Sequence, residues 1–67
     1  MTKKMILKAL HGEYMDALAF FASKIADAED MEEAVEKLDN RVWKAVEDDD
    51  EAEEMWLYVY SALLCAC

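Results

Sequence analysis

From Leu7 the apolar residues recur at Leu10, Tyr14, Leu18, Phe21 and Ile25. Steps of three and four lay one stripe along a helix. The phase runs through Gly12, so the spacing predicts one helix over about Lys3 to Asp27, weakened where the glycine costs about 1 kcal/mol relative to alanine. The same residues also allow a short first helix that ends at His11 with Gly12 as its C-cap. Asp30 opens the next helix, with Glu33 three residues on in the spacing of a capping box. Its stripe is Met31, Val35, Leu38, Val42, Ala45 and Val46, and Glu33 with Lys37 forms an i,i+4 pair on the outer face. This helix is expected to end near Glu47. Asp48, Asp49 and Asp50 then make the clearest break, because three consecutive acids suit a turn and the positive start of a helix.

Asp50 with Glu53 repeats the cap spacing and predicts a last helix running to about the C-terminus. Trp56, Val59 and Leu63 lie on one edge of it, and Leu57, Tyr60 and Leu64 on the next. From Met55 to Cys67 only Ser61 is plainly polar. A helix apolar nearly all round is buried on most sides. The expectation is an all-α fold: one domain over residues 1–67, a small three-helix bundle running up-down-up. A bundle this small covers such a helix poorly, so a homodimer through Trp56, Leu57, Tyr60 and Leu64 is expected, with Trp56 itself read as core or dimer interface.

Length sharpens that expectation. The chain has 67 residues, and a domain of that size buries only about 60% of its unfolded surface. Hydrophobic residues make up 57% of it, with no proline and one glycine. Tight packing or a second copy is therefore needed to stabilise it. No apolar run reaches the roughly 18 residues of a membrane span. Lys8, His11 and Glu13 interrupt any signal-peptide core. Both cysteines sit together as Cys65-Ala66-Cys67 rather than spread along a disulfide scaffold. The chain reads as cytoplasmic and reduced.

Candidate chemistry is sparse. His11 is the only histidine and stands far in sequence from the cysteines, so no metal-ligand spacing is present. The Asp48–Glu51 run lacks the alternation and the glycine of a calcium loop. Ser23, Ser61 and Thr2 have no base beside them in the pattern, and one glycine cannot build a phosphate loop. The expectation is a chain that is not an enzyme, with no cofactor and no metal site.

Charge is the informative feature. The net charge is −9, from sixteen acids and seven bases. Residues 27–54 hold fourteen of those acids against Lys37, Arg41 and Lys44, a net of −11, whereas residues 1–24 carry a net of +2. A negative lobe argues against direct nucleic-acid or membrane binding and favours a basic protein partner. The candidate face comprises Glu29, Asp30, Glu32, Glu33, Glu36 and Asp39, then Glu47, Asp48, Asp49, Asp50, Glu51, Glu53 and Glu54. Trp43 lies at the edge of the second helix's stripe and reads either as core edge or as the exposed anchor of this face, since tryptophan is enriched at binding hot spots. Duplex DNA carries one charge per ~1.7 Å. The second helix, about 25 Å long at 1.5 Å per residue, offers about half that density.

In size, helicity and acid runs such as Glu29-Asp30-Met31-Glu32-Glu33 and Glu47-Asp48-Asp49-Asp50-Glu51, the chain resembles a loose class. These are short acidic proteins of phages and mobile elements that block host defence, including anti-restriction DNA mimics and anti-CRISPR proteins. The resemblance covers those stretches only and rests on no motif. It implies an inhibitor that engages a nucleic-acid-binding enzyme or a host defence nuclease complex. The other expectation is a self-associating structural or assembly module that works through the apolar C-terminal helix.

Overall fold

The computed structural model describes residues 1–66. It holds four helices and, among the described residues, no strand: α1 (Lys3–Leu10), α2 (Tyr14–Ile25), α3 (Met31–Val46) and α4 (Asp50–Cys65). Three of the four start at a side-chain cap. The Thr2 hydroxyl accepts the Met5 N–H at 3.2 Å. Asp30 Oδ1 accepts Glu33 N–H at 3.1 Å, and Asp49 Oδ1 accepts Ala52 N–H at 3.1 Å. Each cap residue satisfies one of the orphan donors at a helix start. The cap of α4 is thus Asp49, one residue before the expected Asp50, which lies inside the first turn. The Glu33–Lys37 pair is present at 3.2 Å.

The expected three-helix bundle is corrected to four helices. The first predicted helix breaks at His11-Gly12-Glu13. His11 is the C-cap of α1, and Gly12 N–H closes back on Ala9 O at 3.2 Å. Glu13, extended at φ −75° and ψ 151°, starts α2 without a side-chain cap. Packing explains the break. An unbroken helix over Lys3–Asp27 would be about 37 Å long at 1.5 Å per residue, longer than the 31 Å long axis of the fold. Folding back lets α1 touch all three other helices. The break also shifts the phase of the stripe. Ile6 and Leu10 are buried from α1 and Ala17, Phe21 and Ile25 from α2, while Leu7 and Leu18 are flanking and Tyr14 is exposed.

The predicted stripe of α3 is buried at Val35, Leu38, Val42, Ala45 and Val46, with Met31 at its edge. Helix α4 buries Ala52, Trp56, Val59 and Leu63. All four helices feed one core. At its centre the Phe21 and Trp56 rings meet edge-to-face at 5.0 Å, a geometry that adds attraction beyond area burial. Trp56 is wholly buried and its indole N–H donates to Asp39 Oδ1 at 2.8 Å. This settles one buried polar group within the core and ties α4 to α3.

Candidate protein-binding surface

Helix periodicity sorts the charges of α3 into two flanks. Glu32, Glu36, Asp39, Trp43 and Glu47 recur at steps of four and three and share one side. That side faces α4, because Asp39 reaches Trp56 there. Lys37, Arg41 and Lys44 share the opposite flank, where they line clefts with residues of α1 and α2. The three bases that dilute the acidic segment in sequence are thus set apart from most of its acids in space. The acids continue past the turn into the first turns of α4 as Asp50, Glu51, Glu53 and Glu54.

Not every acid on the predicted face is available. Asp39 is half-buried and engaged by the Trp56 indole. Asp49 caps α4 and also meets His11, whose Nε2 lies 2.6 Å from Asp49 Oδ2. Glu53 is half-buried. Glu29, Asp30, Glu32, Glu33, Glu36, Glu47, Asp48, Asp50, Glu51 and Glu54 are exposed. Of these, Glu33 pairs with Lys37 and Glu51 lies 3.8 Å from His11 Nδ1; the other eight have no ion pair among the described residues. Exposed, unpaired charges of one sign sum to a field that draws cationic partners. Trp43 is half-buried and packs against the core. It is an edge residue beside the acids rather than a projecting anchor.

His11, exposed at the α1–α2 corner, lies beside two carboxylates of the last helix's start. It joins the α1–α2 corner to the cap of α4. The hydrogen bond to Asp49 is the main cause that raises the His11 pKa above its ordinary 6.5, with the charges of Asp49 and Glu51 adding to it. The Asp49 carboxyl is held below its ordinary 3.8, first by the Ala52 backbone N–H and then by His11. No local spacing signals this pair, because it spans 38 positions.

The expected oligomer surface changes too. Trp56 is wholly buried in the chain's own core, so it is not available to a second copy, and Tyr60 is half-buried beside it with the rings 6.0 Å apart. Leu57 and Leu64 are exposed, and Tyr58, which the stripe did not single out, is 61% exposed. Together with Ser61 and Cys65 they give the outer face of α4 no charge beyond Glu54. Cys67 lies outside the described residues.

Among the described residues no group of three or more His, Cys, Asp or Glu side chains is placed to hold a metal ion. The Ser23 hydroxyl donates to Phe20 O at 2.7 Å and that of Ser61 to Leu57 O at 3.0 Å, so both bond back to their own helices. No described helix is long and apolar enough to cross a membrane. Comparison with protein-family models, curated proteins and solved structures finds no match.

Proposed function

We propose that this chain is a non-enzymatic, cytoplasmic inhibitor or regulator that presents an acidic surface to a basic protein partner. The surface is the α4-facing flank of α3, made by Glu32, Glu36 and Glu47, with Asp48 and, in the first turns of α4, Asp50 and Glu54. The single observation that carries this reading is the cluster of exposed carboxylates with no ion pair among the described residues. A protein that normally holds a nucleic-acid backbone has the complementary field. A host defence nuclease complex is the partner type that the resemblance to phage inhibitors suggests.

The test is affinity capture from the host lysate with the E32Q/E36Q/E47Q variant beside the unaltered chain. Asp39 is left intact because it serves the fold. The expected outcome is one basic protein that elutes with rising salt, is displaced by added DNA, and is lost from the variant while helicity is kept. Equal capture by the variant would falsify the acidic-surface reading.

A second reading rests on the uncharged outer face of α4. Leu57, Tyr58 and Leu64 are exposed there, and unpaired apolar surface commonly marks an interface. It makes the chain a homodimer working as an assembly module. On that reading L57D lowers the solution mass to that of one chain, and a chain already monomeric at working concentration removes it.

A further inference from the structure

We propose that the groove between α1, α2 and α3 binds a small phosphate-class polyanion, held by Arg41, Lys3 and Lys44. This goes beyond the acidic-surface reading and does not depend on it. Two adjoining clefts, of about 400 and 250 Å³, share Met1 and Arg41. The first adds Lys24 and Lys37 over a floor of Ile25 and Leu38, and the second adds Lys3 and Lys44 over Ile6 and Ala45. Five of the chain's seven bases therefore line this groove, and no acid lines either cleft.

In a chain with sixteen acids this is not what pairing would produce. Lys37 is satisfied by Glu33 at 3.2 Å, and the Lys24 ammonium sits 4.9 Å from the centre of the Phe20 ring. Lys3, Arg41 and Lys44 have no ion-pair partner among the described residues. Five bases have neither an ion pair nor a ring contact among the described residues, and three of them meet in the second cleft, while Lys4 and Lys8 lie outside both. Like charges gathered without partners repel one another, and an external anion relieves that repulsion. Lys3, Arg41 and Lys44 are exposed, so the attraction acts at the surface and weakens with salt. Arginine presents a planar fork that meets phosphate with two hydrogen bonds, and flanking lysines add point charges.

Size follows from the rest of the molecule. A net charge of −9 repels a long polyanion. The two clefts also offer no aromatic side chain on which a nucleic-acid base would stack. A compact anion of two or more charges carries fewer charges than a long polyanion and so meets less of that repulsion.

The test is titration of the full chain with sodium pyrophosphate at constant ionic strength, followed by amide and side-chain NMR. The expected result is saturable shifts at Lys3, Ile6, Arg41, Lys44 and Ala45. The R41Q/K44Q variant should bind about tenfold more weakly or worse. The K4Q/K8Q variant removes the same formal charge from α1 outside both clefts, and should bind within about twofold of the unaltered chain. Circular dichroism checks that the two variants keep the same helicity. Non-saturating shifts, equal losses in the two variants, or tighter binding of a ten-residue oligo-dT than of pyrophosphate would overturn the proposal.

Discussion

The two halves of this chain reach their positions by different means. Helices α3 and α4 each start at an aspartate whose side chain accepts a backbone N–H three residues on, and a part-buried hydrogen bond from Trp56 to Asp39 joins them. Helices α1 and α2 meet at a corner with no side-chain cap on α2. What places them is contact: Ile6, Leu10, Ala17 and Phe21 are fully or almost fully buried against the other half. One half is punctuated by local chemistry and the other is bent by packing. A perturbation of the shared core should damage both halves, whereas a change at either corner should act on one.

The seam between the halves is the Phe21–Trp56 contact. Trp56→Ala removes the largest wholly buried side chain and the indole donor together. Truncating a buried tryptophan costs about 3–5 kcal/mol, which approaches the whole stability of a domain this small. The expected outcome is loss of cooperative melting by circular dichroism. A variant that melts cooperatively within a few degrees of the unaltered chain would mean that the halves are held mainly elsewhere.

Within the C-terminal half, Asp39→Leu leaves the Trp56 N–H buried without an acceptor. An orphaned donor of that kind costs about 1–3 kcal/mol. Asp39→Asn keeps an acceptor oxygen and should lose less than Asp39→Leu. Urea denaturation of the two variants measures the difference. Equal losses would show that the charge, not the hydrogen bond, is what Asp39 contributes.

This contrast explains how far the chain could be read from its pattern. The capped helices were legible, because Asp30, the three aspartates at 48–50 and the α3 stripe are local signals. The cap of α4 was displaced by one residue, since Asp48 and Asp50 carry a glutamate three residues on, Glu51 and Glu53, whereas the actual cap Asp49 has Ala52 there. The corner at His11-Gly12-Glu13 was not legible as the leading reading. Its apolar phase runs on, and only the size of the finished core forbids a straight helix. The acidic surface was visible as a segment. Its division into committed Asp39 and Asp49 and exposed Glu32, Glu36 and Glu47 needs contacts 17 and 38 positions apart. Trp56 reads from the pattern as core or dimer interface, and the pattern cannot choose between them because its partners Phe21 and Asp39 come from other helices.

His11 bridges the two halves, so its titration reads the join. Its folded pKa is raised, so its contribution is fully present below the ordinary value of 6.5 and is lost as pH rises through the folded value. Asp49 is depressed, so its contribution is present above 3.8 and is lost as pH falls through the lower folded value. Stability from this pair is therefore greatest between those limits and declines on the alkaline side of 6.5. Asp49→Asn keeps a cap of equal quality and should bring the imidazole titration back toward 6.5. As the only histidine, His11 gives an unambiguous NMR signal. An unmoved titration in Asp49→Asn would remove the pair as a link between the corners.

The smallest effect is expected at Gly12, and it separates the two kinds of corner most directly. Were the α1–α2 break set by the glycine, its backbone would use the left-handed region that only glycine enters freely. No residue among those described has a positive φ. A Cβ added at Gly12 would lie 3.4 Å from Ala9 O, an ordinary contact. Gly12→Ala should therefore be tolerated. It also removes freedom from the unfolded chain, which favours the folded state by about 0.4–1 kcal/mol where the conformation is compatible. Opposing this, alanine favours continuing the helix through the corner, a bias of up to about 1 kcal/mol per residue. Both terms are small beside the loss of a core side chain, so the urea midpoint should move little. Packing of Ile6, Leu10 and Phe21 outweighs both terms, and so holds the corner. A marked destabilisation would instead assign the break to Gly12 itself and return the first half of the molecule to local chemistry.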